Sequence, residues 1–141
     1  MSRFAIKKII FMIKFSYTIF YVKDVVKSIS FYEKAFGFKR KFIAPNNEYG
    51  ELITGDTTLS FAAVSLAKTN LSAGFIESTA GGKPFGIEIG FTTTEVEQVY
   101  KKAIKAGAIA VEKAKTKPWG QMVAYVKDPD GFLIEICAPM D

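Results

Sequence analysis

Apolar and polar positions follow the same order in two stretches of the chain. Residues 17–38 read YTIFYVKDVVKSISFYEKAFGF, and residues 88–108 read EIGFTTTEVEQVYKKAIKAGA. Each stretch begins like a strand, continues with apolar residues at helical spacing and stops at a glycine. The pattern predicts two modules built on one plan, in which a strand leads into an amphipathic helix.

Both predicted helices carry end signals. The apolar stripes are Val25, Ile29, Tyr32 and Phe36 in the first helix and Val96, Val99, Tyr100 and Ala103 in the second. Asp24 can cap the first helix, and Gly37 can supply its left-handed stop. Thr94 and Glu97 form a capping-box pattern at the second helix, which Gly107 ends.

Three extended runs follow each helix. They cover residues 39–43, 49–54 and 57–63 in the first module and 109–113, 121–127 and 132–138 in the second. Gly55-Asp56 and the DPDG sequence at 128–131 predict the tight turns. The sequence therefore predicts an α+β fold of two tandem βαβββ modules, which form a curved mixed sheet with helices on one face.

This plan divides one structural domain into four parts. Residues 1–11 are expected to be an N-terminal extension, and residues 12–64 the first module. Residues 65–85 are expected to be a connector made flexible by Gly81-Gly82, and residues 86–141 the second module.

Side-chain alternation along the strands distinguishes the sheet face under the helices from an open face, here called the trough. Glu88 alternates with Ile87 and Ile89 and therefore faces the trough. Glu135 and Ser60 face the trough by the same argument. The first strand is apolar on both sides, so its orientation stays open.

Superposing the modules makes Tyr17 equivalent to Glu88 and Ser60 equivalent to Glu135. We expect these four positions to converge at the centre of the trough. Two carboxylates on a concave surface indicate a hard-cation site, an acid–base pair or counter-charges for a cationic ligand.

The 141 residues include no histidine and one cysteine, Cys137. The missing imidazole excludes serine–histidine triads, histidine zinc sites and the two-histidine iron triad. A lone cysteine excludes an internal disulfide and favours the reducing cytoplasm. The net charge of +5 is spread along the chain with no aromatic-interleaved basic run, so we expect no nucleic-acid partner.

The first fifteen residues, MSRFAIKKIIFMIKF, are too short and too charged to span a bilayer, and we expect no membrane partner. They also lack the long apolar core of a signal peptide. An added strand or helix, an interfacial anchor, or a start codon placed too early with Met12 as the functional start remain as interpretations. We favour an upstream extension that plays no part in the site.

Residues 13–139 resemble the vicinal oxygen chelate superfamily, which contains glyoxalase I, extradiol dioxygenases, fosfomycin-resistance enzymes and bleomycin-binding proteins. The stretches VKDVVKSISFYEKAFGF and DPDGFLIEI carry the resemblance. Metal ligands of the family's enzymes come from strand positions that match Tyr17, Ser60, Glu88 and Glu135. The usual set is histidine or glutamine early in each module and glutamate late, and only Glu135 has its expected type.

The resemblance therefore implies the metal-free branch, whose members hold small aromatic or antibiotic-like molecules in the trough, usually beside a dimer partner. We predict a cytoplasmic homodimer that binds such a ligand without a cofactor. Trp119 is the preferred aromatic contact, although a lid or a dimer contact would explain it equally well. The predicted ligand-binding residues are Tyr17, Tyr21, Ser60, Glu88, Trp119, Gln121 and Glu135.

Two alternatives stay open. A metal-dependent lyase or isomerase of glyoxalase type would use Glu88 and Glu135, with Gln121 as a further oxygen ligand, and oxygen-only coordination favours magnesium or manganese. A structural or protein-interaction domain would have a filled trough.

Other polar residues have simpler explanations. Glu51 is expected to be a solvated strand residue, and Cys137 a small buried hydrophobe. Asp128 and Asp130 belong to a tight turn, which explains them without catalysis.

Overall fold

A computed structural model describes residues 11–140. The hypotheses about residues 1–10 lie outside the described residues. The first module contains β1 (Tyr17–Val22), α1 (Val25–Phe36), β2 (Lys39–Ile43), β3 (Tyr49–Ile53) and β4 (Thr58–Ala63). After α2 (Val64–Asn70), the second module contains β5 (Glu88–Thr92), α3 (Val96–Ala106), β6 (Ile109–Thr116), β7 (Met122–Lys127) and β8 (Leu133–Cys137).

The strands form two four-stranded mixed sheets, ordered β1-β4-β3-β2 and β5-β8-β7-β6. In each sheet the first two strands are parallel and the other neighbours are antiparallel. The predicted α+β fold of tandem βαβββ modules is confirmed. Backbone hydrogen bonds divide its curved sheet into two, with β1 and β5 as edge strands.

The two sheets have the same internal register. Tyr17 pairs with Thr58, two residues before Ser60, and Glu88 pairs with Leu133, two residues before Glu135. The expected equivalence of Tyr17 with Glu88 and of Ser60 with Glu135 is therefore confirmed by the strand pairing.

The helix ends follow the sequence signals with one exception. The Asp24 carboxylate accepts a hydrogen bond from the Lys27 amide at 3.1 Å, and Gly37 adopts a φ of 73°. The capping box predicted at the second helix is wrong, because α3 begins after Glu95, whose side chain makes no capping bond. Instead, the Glu95 amide donates a hydrogen bond to the Thr93 hydroxyl at 3.1 Å. The hydroxyl that accepts a backbone amide before the helix is therefore that of Thr93, one residue before the expected cap, Thr94.

Aromatic contacts join the two modules into one core. Phe20 of β1 stacks on Phe132 with ring centroids 4.0 Å apart. Phe91 of β5 contacts Phe36 and Phe38 of the first module at 4.9 and 5.0 Å. Large rings bury much apolar area, so these pairs make each module depend on the other for its stability.

A polar clasp between α1 and the β7–β8 turn adds to this interface. The Tyr32 hydroxyl donates to Asp128 at 2.5 Å, and the Ser28 hydroxyl donates to Asp130 at 2.7 Å. Asp128 is fully buried and also accepts the amides of Asp130 and Phe132. Burial raises the pKa of Asp128 to about 6. The clasp is structural, as expected for these two aspartates.

The connector is more ordered than its composition indicates. Its first part forms α2, which the prediction missed because only Ala67 is buried and no side chain caps the helix. Further on, the Lys127 ammonium donates to the carbonyls of Ala80 and Gly82 at 2.8 and 2.9 Å. A Cβ at Gly131 would clash with the Thr79 carbonyl oxygen. The connector is thus packed against the second module.

None of the helices within residues 11–140 combines the length and the apolar composition needed to cross a membrane.

Candidate functional site

The orientation of β1, open from the sequence, is settled by burial. Phe20 and Val22 are 8% and 1% exposed and belong to the core, whereas Tyr17 and Ile19 are 53% and 36% exposed. Tyr17 therefore lies on the trough face together with Ser60, as the alternation of side chains requires.

Two carboxyl groups meet in the trough of the second module. Glu88 of β5 and Glu135 of β8 both lie at the hydroxyl of Tyr125, and we call them the carboxyl pair. Tyr125 of β7 lies opposite Glu135 in the strand pairing. Its hydroxyl donates to Glu135 Oε2 at 3.1 Å and lies 3.5 Å from Glu88 Oε1. Three neighbouring strands thus build one polar cluster.

The carboxyl pair retains a proton near neutral pH. The hydrogen bond to Glu135, together with burial, raises the pKa of Glu88 to about 7. The same hydrogen bond lowers the pKa of Glu135. Burial and the bond to Glu135 raise the pKa of Tyr125 to about 12, so its hydroxyl stays a donor. The pair therefore titrates as a unit between one and two negative charges.

Cys137 follows the pair on β8 and is 6% exposed. Burial and the neighbouring Glu135 raise the pKa of its thiol to about 11. A neutral thiol is a poor nucleophile and a poor metal ligand, which agrees with the prediction of a small buried hydrophobe.

The equivalent positions of the first module have different chemistry. Ser60 is fully buried, and its hydroxyl has no hydrogen-bond partner of good geometry among the described residues. Its strand neighbour Glu51 accepts a hydrogen bond from Tyr49 at 2.7 Å and lies 3.6 Å from the Lys41 ammonium. The interpretation of Glu51 as a solvated residue is wrong, because its side chain is only 14% exposed.

The other predicted ligand-binding residues lie in separate contacts. Tyr21 packs on Phe75 of the connector, with ring centroids 4.8 Å apart. The Trp119 indole donates to the Gln121 side-chain oxygen at 2.9 Å, and the Gln121 amide donates to the Ala138 carbonyl at 2.7 Å. Among the described residues, no hydrogen bond joins Tyr17, Tyr21, Ser60 or Trp119 to the carboxyl pair.

Tyr125 is a member of the polar cluster that the sequence prediction missed. It occupies the place in β7 that Glu51 occupies in β3, opposite Glu135 and Ser60 respectively. Extending the superposition of the modules to their third strand would have found it.

The donors at the carboxyl pair do not fit a divalent metal ion. Within residues 11–140, no three Asp, Glu or Cys side chains lie close enough together to hold one, and the sequence has no histidine.

Comparisons with known proteins agree with this fold. The family model described as Glyoxalase/Bleomycin resistance protein/Dioxygenase superfamily matches residues 14–136. A probable lactoylglutathione lyase from Vibrio parahaemolyticus is 31% identical over 128 residues, which cover 85% of this chain and 86% of that protein. A putative lactoylglutathione lyase from Brassica oleracea is 28% identical over 125 residues, or 87% of this chain, but the match spans only 43% of the plant protein.

Solved structures give the same result. A glyoxalase-related enzyme from Fulvimarina pelagi superposes with a TM-score of 0.77 at 22% identity, covering 91% of this chain and 89% of that one. A protein of S. aureus described as hypothetical superposes with a TM-score of 0.74 at 27% identity, covering 91% and 95%. The two-module architecture is therefore shared with these proteins.

Proposed function

Because the chain belongs to the Glyoxalase/Bleomycin resistance protein/Dioxygenase superfamily, we propose that it binds a small organic molecule in the trough, at the carboxyl pair of Glu88 and Glu135. The observation that carries the proposal is the meeting of two carboxyl groups at the Tyr125 hydroxyl, which lies 3.1 Å from Glu135 and 3.5 Å from Glu88 on a solvent-accessible sheet face. Neighbouring carboxylates repel each other unless a proton or another positive group neutralises them. A ligand that offers hydrogen-bond donors can replace the shared proton.

This binding function requires no metal, and the absence of a third acidic or thiol side chain near the pair within residues 11–140 supports that part of the proposal. In the metal-dependent lyase alternative, Gln121 would be a further oxygen ligand beside the carboxyl pair, and water would complete the coordination shell. The Gln121 side chain is instead engaged by Trp119 and Ala138. We therefore expect divalent magnesium or manganese to leave the midpoint of thermal unfolding unchanged, and stoichiometric metal in purified protein would contradict this part of the proposal.

A screen with a ligand-binding readout tests the proposal. Aromatic metabolites, amines and antibiotics are compared by the thermal shift of the full chain, because a ligand of the native state raises the midpoint. Hits are then titrated by calorimetry. We expect Glu135→Gln to weaken a hit by about tenfold or more, since one charged hydrogen-bond acceptor is lost. The matched control is Glu97→Gln on α3, which is exposed and lies away from the trough.

Two results would overturn the proposal. One is a screen in which no compound stabilises the protein. The other is a ligand whose affinity is the same in the wild type, in Glu135→Gln and in Glu97→Gln.

The pKa of Glu88, about 7, favours proton transfer on the bound molecule as a second candidate function. A carboxyl group with this pKa can both give and accept a proton at neutral pH. Exchange of a carbon-bound ligand proton with D2O, followed by NMR and abolished in Glu88→Gln, is the expected result. Equal exchange rates in both proteins would exclude this role.

We also propose that the protein forms a homodimer. Trp119 and Met140 are 60% and 61% exposed, and Gln121 joins Trp119 to Ala138, two residues before Met140. A partner would cover this apolar surface. We expect sedimentation velocity to give a dimer that Trp119→Ser shifts toward monomer, whereas a wild-type monomer at all concentrations would contradict it.

A further inference from the structure

The edge strands β1 and β5 border a cavity of about 230 Å³. Its walls are mainly apolar and come from both modules. Phe15 and Phe20 lie on one side, and Ile87, Phe132 and Leu133 lie on the other. We call this space the edge cavity. Glu88 is the charged residue in its wall.

One part of the cavity wall is formed by packed aromatic rings, and another part by apolar side chains that are exposed to water. Phe20 and Phe132 are stacked with nearly parallel rings, so they form a fixed wall. Phe15 and Ile87 are 73% and 68% exposed, which leaves apolar surface in contact with water. A pocket with mainly apolar walls and one charged group favours a ligand that is apolar at one end and polar at the other.

Glu88 connects the edge cavity to the carboxyl pair. It lines the cavity, and its carboxyl group lies 3.5 Å from the Tyr125 hydroxyl, which donates to Glu135 at 3.1 Å. A polar group that leaves the cavity beside Glu88 is therefore close to both carboxyl groups. Glu135 carries negative charge and would repel an anion at this position. An ammonium group offers three donors and a positive charge, which match two carboxylates.

We propose that the molecule bound at this site is a small arylalkyl ammonium ion, whose apolar group fills the edge cavity and whose ammonium group donates to Glu88 and Glu135. This inference rests on the proposed binding function and names its ligand class. On binding, the shared proton leaves to solvent and the ammonium ion takes its place, so the charges remain balanced.

Four probes test the two halves of the inference with the full chain. Benzylammonium carries both the ring and the charge, methylammonium lacks the ring, benzyl alcohol lacks the charge, and benzoate reverses it. In calorimetric titrations we expect benzylammonium to bind, and each of the others to bind about tenfold or more weakly. Equal affinity for benzyl alcohol or benzoate would overturn the cationic ligand, and equal affinity for methylammonium would overturn the role of the cavity.

Two substitutions probe the cavity while leaving the carboxyl pair intact. Leu133→Phe reduces its volume, and Ile87→Ala removes part of its exposed wall. We expect each to weaken benzylammonium by about three- to tenfold and to leave methylammonium unchanged. Ile53→Ala is the matched control, because Ile53 is a similarly exposed strand isoleucine, at 56%, that does not line the cavity. Ile87 is exposed, so its variant tests the inference even if Leu133→Phe fails to fold.

The outcomes separate this inference from the proposed function. A ligand from the screen that requires Glu135 but binds Leu133→Phe and Ile87→Ala normally would overturn the cavity inference and leave the binding function standing. Benzylammonium binding that survives both Glu88→Gln and Glu135→Gln would overturn both.

Discussion

The two modules have the same order of elements and the same strand register, yet their trough faces differ in how negative charge is neutralised. In the first module Glu51 is paired with Tyr49 and Lys41 on its own sheet. In the second module Glu88 and Glu135 lie together at the Tyr125 hydroxyl, and within residues 11–140 neither of them forms an ion pair.

This difference separates the chemistry of the two modules although their backbones match. The carboxylate of the first module is already compensated, and its neighbour Ser60 is sealed from solvent. In the second module the carboxyl groups of Glu88 and Glu135 are accessible to solvent. A cationic group could therefore approach them and neutralise their negative charge. The two modules therefore share their strand register, whereas the pair of neighbouring carboxyl groups occurs in the second module.

The largest expected effect concerns the turns that join the last two strands of each module. Asp128→Ala should lower the free energy of unfolding by about 4 kcal/mol, because it leaves the Tyr32 hydroxyl and two buried amides without an acceptor. Asp56→Ala, in the corresponding exposed turn of the first module, should change it by less than about 0.5 kcal/mol. Urea denaturation measures both values. Equal losses of unfolding free energy in the two variants would contradict the view that the contacts of Asp128 with α1 stabilise the fold.

The free energy of unfolding should also depend on pH through the titration of Asp128 in the clasp. The pKa of Asp128 is 3.8 in the unfolded chain and about 6 in the folded one, so the folded state binds the proton more strongly. Its contribution therefore favours folding most below about pH 4 and declines by about 2 to 3 kcal/mol as the pH rises to about 6. Asp128→Asn removes this titration while its side-chain oxygen can still accept both amides. The difference between wild-type and variant unfolding free energies, measured from pH 4 to 7, should show this slope, and parallel curves would contradict it.

The next prediction concerns the pKa of Glu88 in the carboxyl pair. In Glu135→Gln the pKa of Glu88 should fall from about 7 toward its ordinary 4.5, because the negative charge that shares its proton is gone. Ser60→Ala changes the equivalent position of the first module and should leave the pKa of Glu88 unaltered. Carbon-detected NMR titration of the glutamate carboxyl groups follows both variants, and a Glu88 that still titrates near 7 without Glu135 would disprove the coupling.

The smallest effect is expected at Ser60 itself. Ser60→Ala should raise the free energy of unfolding by about 1 kcal/mol, because it removes a buried hydroxyl that has no hydrogen-bond partner of good geometry. Thermal or urea denaturation measures the change. A loss of stability instead would indicate that the hydroxyl contributes a favourable contact.

The sequence predicted the features that depend on periodicity. The repeated strand and helix, the trough positions of Glu88 and Glu135, and the stops at Gly37 and Gly107 all follow from local alternation, spacing or backbone preference. Tyr17 also lies on the trough face.

The features that the sequence did not predict depend on partners distant along the chain. Glu51 is covered by contacts with Tyr49 and Lys41, and Tyr125 gains its role only when β7 lies beside β8. The α2 helix lacks an apolar stripe and a cap, so neither signal marks it. Neither alternation nor helical spacing reveals which side chain a strand neighbour will supply.

The contacts of Lys127 and Gly131 with the connector have a consequence for limited proteolysis. By composition Gly81-Gly82 is the weakest place in the chain, but the Lys127 ammonium holds the carbonyls of Ala80 and Gly82, and Thr79 lies against Gly131. Proteases cut preferentially at exposed loop tips. Residues 71–74 are all exposed, so the first cut within the connector is expected there, about ten residues before the glycines.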